Sequence, residues 1–262
     1  MNEIKKAVII GNGNVGSHLA IVLPKVGISV LQVANSATSL LSLNGSGDIY
    51  IIAVKDDAIE SVYNEIIECL QQKRITNIHR KPSPQLVVHT SGGHTQLIPP
   101  SDALIRTGVL YFLQSFTKKF PLDFSQIPVC IEAQDADTEQ ALIQFAQKLS
   151  TKIEIVDSQK RGTLHLAAVF ANNFANLMIG MAQDLLIENN LSAHLLDALI
   201  LETALKATKM KTAWEAQTGP ALRNDKKTMN RHKDLLQNGD EQVLALYESL
   251  SQMIRNKTEK NI

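Results

Sequence analysis

Over the first part of the chain, short unbroken apolar runs alternate with longer stretches of helical periodicity. Ala7-Val8-Ile9-Ile10 predicts a buried strand. A helical pattern continues through Leu19-Ala20-Ile21-Val22-Leu23, which Pro24 ends or kinks and Gly27 closes. Ile28 to Ala34 predicts a second strand, and a polar, serine-rich stretch from Ser36 to Gly47 comes after it. Ile49-Tyr50-Ile51-Ile52-Ala53-Val54 is continuous apolar sequence of the kind that parallel sheets bury on both faces. Asp56 and Asp57 offer caps for a helix from Ala58 to Gln71, and a basic, proline-bearing loop through Lys81-Pro82-Ser83-Pro84 leads to the strand Leu86-Val87-Val88-His89. Val109 to Leu113 and Val129-Cys130-Ile131 predict strands, Asp137 to Leu149 an amphipathic helix, and Ile153-Glu154-Ile155-Val156 a last strand. Such alternation implies an α/β fold with a doubly wound, mainly parallel sheet.

Beyond Asp157 the periodicity is helical only: Gln159 to Asn189, Ser192 to Met210, Lys226 to Gln237 and Glu241 to Arg255, separated by Asn, Gly and Pro. This change predicts two domains, an α/β domain over residues 1–157 and an all-helical C-terminal domain over 158–262, with a ligand cleft between them. The segment from Leu164 to Ile187 is the most apolar. Asn172, Asn173, Asn176, Gln183 and Asp184 interrupt it, so it fails as a membrane span and is expected to be a helix buried in protein.

The first strand runs directly into Gly11-Asn12-Gly13-Asn14-Val15-Gly16 and then a helix, which is the dinucleotide-binding signature of a Rossmann-type fold in its required context. Gly11 permits the sharp turn, Gly13 lets the backbone approach a pyrophosphate, and Gly16 lets helix and strand pack closely. Free N–H groups of the first helical turn, at the positive end of the peptide dipoles, would face the phosphates. About twenty residues on, where NAD-selective folds carry an acidic residue for the ribose hydroxyls, this chain has Asn35 and Ser36. A carboxylate would repel a 2′-phosphate, whereas an amide and a hydroxyl accept one, so the reading tilts from NAD toward NADP.

Lysine plus arginine equals aspartate plus glutamate, so no basic field attracts nucleic acid or anionic lipid. Cys69 and Cys130 lie in unrelated segments without metal-ligand spacing and read as reduced structural thiols. The N-terminus passes straight into the first strand with no room for a signal peptide, which predicts a cytoplasmic location.

Ligands of open α/β sheets bind beyond the carboxyl ends of the strands. That places weight on Asn12 to Val15, on Val54, Lys55 and Asp56, and on His89-Thr90-Ser91-Gly92-Gly93, with Thr90, Ser91 and Gly92 as candidate cofactor contacts. In the helical half, His165 and Asn172 lie two turns apart and share a face with Asn176. His165 is the first candidate proton donor and Asn172 its companion, since reduction of a small carbonyl or imine substrate needs a proton beside the hydride. Thr218-Gly219-Pro220, with Arg223, Asp225 and His232, forms a second polar group that reads foremost as a helix start. No motif anchors a hydrolase or metalloenzyme.

Ala53-Val54-Lys55-Asp56-Asp57-Ala58-Ile59, His89 to Gly93, Leu113-Gln114-Ser115-Phe116, Leu164 to Phe174 and Thr218-Gly219-Pro220, added to the glycine turn, span nearly the whole chain. In these it resembles the Rossmann-like proteins that carry a helical C-terminal domain of unknown function and are named as NADP oxidoreductases. The resemblance implies a homodimer formed through the C-terminal helices, and no assigned substrate. More distantly the chain is similar to pyrroline-carboxylate reductases, deazaflavin-dependent NADP reductases and 3-hydroxyacid dehydrogenases. Where dehydrogenase-like relatives place a catalytic lysine four residues before an asparagine, this chain has Ala168 before Asn172 and Val169 before Asn173, and Lys55 stands where relatives commonly have proline. Two readings stay open: an NADP-dependent oxidoreductase, and a nucleotide-binding sensor or partner-binding protein without turnover.

Overall fold

The computed structural model describes residues 3–34, 47–76, 84–102, 104–237 and 239–259. Seven strands form one sheet: β1 (Lys6–Ile10), β2 (Ser29–Val33), β3 (Ile49–Ile52), β4 (Gln85–His89), β5 (Ile105–Phe112), β6 (Val129–Ala133) and β7 (Ile153–Ile155), in the order β2-β1-β3-β4-β5-β6-β7. Every pairing is parallel except β5 with β6. The chain leaves β1 toward β2 on one side and returns to β3 on the other, which creates a topological switch point at the carboxyl ends of β1 and β3.

Successive side chains of a strand face opposite sides, and the core divides accordingly. Ile9, Ile51, Val88 and Leu110 join one apolar cluster with Leu19 of α1 (Asn14–Val22). Ile10, Tyr50, Ile52 and Val87 join another with Ile59, Val62, Ile66 and Leu70 of α2 (Ile59–Thr76). The spacing of three and four in α2 is the periodicity of one buried helical face. α3 (Ala136–Gln147) seats Leu142 and Phe145 in the first cluster and is capped by Asp135, whose carboxylate accepts from Thr138 N. Pro24 behaves as expected: α1 tightens to a 3-10 turn over Leu23–Val26 and stops at Gly27, whose φ is +80°. Asp56 and Asp57 do not cap α2. Lys55 precedes a 3-10 turn over Asp56–Ala58, and the two carboxylates sit inside that first turn.

The described residues after β7 are helical or irregular: α4 (Ser158–Glu188), α5 (Asp197–Lys209), α6 (Lys226–Leu236) and α7 (Glu241–Glu259). Within α4, Val169–Phe174 is a π-helical segment. The chain divides into two compact units, Met1–Asn176 and Leu177–Ile262. The first therefore takes in the sheet and the beginning of α4, whereas the change of periodicity in the sequence falls at Asp157. α4 is long and apolar enough to cross a membrane by length and composition alone. The expectation that it is buried in protein is not met: Arg161 is its one buried residue, and Leu166, Phe170, Phe174 and Leu177 are exposed. Composition marks a surface that avoids water but does not identify what covers it.

Candidate functional site

At the switch point, Gly11 adopts φ +116° and donates its N–H to Val33 O. A β-carbon there would stand 2.3 Å from Ala53 O, and one on Gly16 would stand 2.4 Å from Gly11 O. Both glycines are thus demanded by packing of the turn between β1, β3 and α1. Gly13 differs. It N-caps α1 with an extended backbone, and a β-carbon on it would meet nothing nearer than Ala53 O at 3.9 Å. The space that Gly13 leaves open faces outward, where a ligand needs it. No side chain caps the first turn of α1 and no acidic residue lies in it, so its dipole is uncompensated from within.

Gly11, Asn12, Gly13, Asn14 and Val15 line a cavity of about 560 Å³ with Val54, Lys55 and Thr90. Eight of the thirteen sequence-derived cofactor residues therefore converge at the ends of β1, β3 and β4. Gly16 packs under the turn instead of lining the cavity. Asn35 and Ser36 lie outside the described residues. A contributor that sequence reasoning missed is Gln32, whose amide donates to Gly11 O at 2.9 Å and braces the glycine turn from β2. Glycine-bounded backbone, a free helix start and an exposed lysine fit the pyrophosphate of a dinucleotide.

The segment after β4 serves several ends. His89 is fully buried, its Nδ1 accepting from Ser91 N at 3.2 Å and its Nε2 lying 3.1 Å from Thr95 O. A backbone N–H donating to Nδ1 leaves the proton on Nε2. Burial, with Arg161 and His94 adding repulsion, pushes its pKa down to about 3. His89, the first residue of the segment weighted in the sequence, is therefore a neutral internal brace and offers no imidazole at this turn. Ser91 Oγ accepts from Gly93 N and His94 N, holding the turn. Only Thr90 of this segment reaches the glycine-loop cavity.

Gly92 touches the second candidate center. A β-carbon on it would stand 2.7 Å from His165 Nδ1 and 2.8 Å from Tyr111 Cε2. Tyr111, near the end of β5, places its hydroxyl 3.2 Å from His165 Nδ1. Burial, and the Cys130 thiol nearby, raise the phenol above its usual range. Tyr111, His165 and Asn172 line a cavity of about 600 Å³ together with Gln114, Ser115 and Asn173. The expected pair His165 and Asn172 thus share one cavity. Asn176 does not line it. The π segment adds a residue to a turn, which rotates the next part of the helix about 100° away from the face counted at 3.6 residues per turn. Asn172 and Asn176 are exposed.

Arg161, one α-helical turn before His165, anchors this end of α4. Fully buried, it pairs with Glu132 of β6 and donates to His94 O, while Ser158 Oγ donates to Glu132 Oε2 at 2.8 Å and accepts from Gln96 N at 3.0 Å. The turn carrying Gly92 and the helix carrying His165 are therefore tied to one buried ion pair. The polar group later in the chain is structural: Asp225 caps α6 by accepting from Thr228 N, and His232 Nδ1 lies 2.9 Å from Tyr247 OH.

A domain of unknown function, DUF2520, matches residues 127–254. Over its length the chain is similar to a Bacteroides fragilis protein provisionally named an NADP oxidoreductase, with 31% identity, 96% of this chain and 98% of that chain covered, and a TM-score of 0.84. It shares its fold with protein TM1727 of Thermotoga maritima, at 19% identity, covering 97% and 99% of the two chains with a TM-score of 0.67. An imine reductase of Streptomyces aurantiacus shares the fold at 13% identity, 96% coverage of each chain and a TM-score of 0.61. No curated protein matches the sequence. The chain belongs to the Rossmann-like family that carries the DUF2520 domain.

Proposed function

We propose that this protein is an NADP-dependent oxidoreductase acting on a small carbonyl or imine compound. The observation that carries the reading is the span of one short turn: Thr90 lines the glycine-loop cavity, and Gly92, two residues on, packs against His165. Asn12, Gly13, Asn14 and Val15 with Lys55 would hold the pyrophosphate, and Asn35 and Ser36 the ribose phosphate. A nicotinamide dinucleotide bound there would supply the hydride. Charge that develops on the substrate oxygen or nitrogen needs a proton, which in this reading His165 would give as an imidazolium. Nδ1–H of that imidazolium would donate to the Tyr111 hydroxyl, leaving Nε2–H as the proton that transfers and a neutral ring behind. Asn172 would orient the substrate by hydrogen bonding. The names of the relatives from Bacteroides fragilis and Streptomyces aurantiacus support this class of chemistry.

The exposed apolar side chains of α4 and α5, including Phe170, Phe174, Leu199 and Leu205, are assigned in this reading to contact with a second copy of the chain. Light scattering tests that assignment: a mass of two chains supports it and a monomer at micromolar concentration rejects it.

The functional test is a carbonyl and imine panel with NADPH, monitoring absorbance loss in wild type, His165→Ala and Asn172→Ala. Turnover by wild type that drops by about a hundredfold in His165→Ala is the expected result, in the range for a lost acid catalyst. NADPH binding without turnover of any member would favour the sensor reading instead.

A further inference from the structure

His18 reaches in two directions from α1. Its ring is buried, with Nδ1 2.8 Å from Asn14 O and Nε2 3.1 Å from Phe120 O. Asn14 lines the glycine-loop cavity. Phe120 closes the turn that continues from Leu113 to Phe116, one wall of the cavity beside His165, and its N–H donates to Thr117 O at 2.9 Å. The His18 ring also meets Phe116 edge-on, with centroids 5.3 Å apart. One side chain thus spans from the cofactor turn to the wall of the second cavity. Both of its polar contacts are carbonyl oxygens, which only accept. A neutral imidazole has a single N–H and satisfies one of them, leaving a lone pair turned toward the other, whereas an imidazolium donates to both.

α1 carries no acidic residue, and among the described residues no ion pair includes His18. Lys118 and Lys119 of the Phe120 turn are exposed cations, and Lys55 and Asp57 line the glycine-loop cavity. The positive end of the α1 dipole disfavours a further positive charge beside it until an anion is seated there. We propose that His18 is a positioning residue that couples the two cavities: a dinucleotide's pyrophosphate at the start of α1 stabilises the doubly protonated ring, which then holds Asn14 O and Phe120 O together and fixes the wall at Phe116. The second proton comes from solvent. This rests on the dinucleotide site of the oxidoreductase reading and adds an order to it, in which bound cofactor shapes the place where substrate binds. By reciprocity, cofactor and ring proton favour each other equally.

The test uses the full chain and NADPH, and needs no turnover. Ring-nitrogen NMR of wild type follows His18 directly: at a pH where the free protein shows a mixture of ring states, the doubly protonated share should rise when NADPH is added. Amide exchange of Phe120 reports the turn that His18 holds, and NADPH should slow it by about tenfold or more, the scale of one charge-assisted hydrogen bond. His18→Phe keeps an aromatic ring against Phe116 and loses both donors. It should still bind NADPH, without slowing at Phe120 and with fewer protons taken up per site in calorimetry across buffers of different ionisation heat. The 2′-phosphate titrates in both proteins and cancels from that comparison. A His18 ring and a Phe120 exchange rate unmoved by bound NADPH overturn the proposal, as does a His18→Phe variant that responds like wild type. If that variant does not fold, the wild-type spectra decide alone. Failure of wild type to bind NADPH at all would instead reject the dinucleotide reading.

Discussion

Gly92 and the imidazole of His165 are in such close contact that a single added carbon would stand 2.7 Å from Nδ1. The turn after β4 and the helix that succeeds the sheet are therefore fitted to each other with no side chain between them. Gly92→Ala should force the ring from its place, break the bond to Tyr111 and lower stability by about 1–3 kcal/mol, the usual penalty of overpacking. Urea unfolding and the His165 ring resonances report both effects. An unchanged midpoint with an unchanged His165 signal would refute the contact.

The buried pair Arg161 and Glu132 leads to a second expectation. Removing one partner strands the other charge, so Arg161→Ala should cost about 3–5 kcal/mol. Replacing both, as Arg161→Met with Glu132→Gln, should recover part of that loss because no buried charge remains. Denaturant midpoints of the three proteins check the order. A double variant less stable than Arg161→Ala would contradict it.

Different glycines of the first turn should fail in different ways. Gly11→Ala is strained at φ +116° and collides with Ala53 O, so it should lower stability by about 1–3 kcal/mol. Gly13→Asp meets open space, supplies a helix cap, and should hold or raise stability by up to about 1 kcal/mol while its carboxylate repels a phosphate. Thermal unfolding paired with NADPH titration separates the two.

His89 sets an acid limit on the fold. Its native pKa of about 3 lies below the ordinary histidine value, so between these the unfolded chain binds a proton that the native state excludes. More protons bound by the unfolded state means that stability rises with pH. It should therefore fall as pH drops from about 6.5 toward 3, by up to about 1.4 kcal/mol per unit from this one group. His89→Gln, which does not titrate, should flatten that slope in urea unfolding series between pH 7 and 4.5. An unchanged slope would mean that His89 is protonated in the native state.

Much of this arrangement is legible in the residues. The apolar runs at Ile9 and Ile51 mark strands because a parallel sheet is covered on both faces, and Gly11 and Gly16 mark the turn because packing leaves no room for a side chain at either, while Gly13 leaves open space. His165 stands out as a titratable group in an apolar helix. Tyr111 does not, since a tyrosine in a strand reads as core until the fold brings α4 across the end of β5. The same holds for Gln32 and for the pair of Arg161 with Glu132, whose partners are distant in sequence. The absence of Asn176 from the cavity that His165 and Asn172 share is illegible for another reason: the π segment breaks the 3.6-residue count on which a shared face depends.

Calorimetric titration of NADPH and NADH into the wild-type protein bears on the cofactor site without any intermediary. One NADPH site per chain with micromolar affinity is expected, tighter than for NADH, because no carboxylate stands at Asn35 or Ser36 to repel the 2′-phosphate. Tighter binding of NADH would contradict the choice of cofactor, and no heat from either nucleotide would contradict a dinucleotide site at the glycine turn altogether.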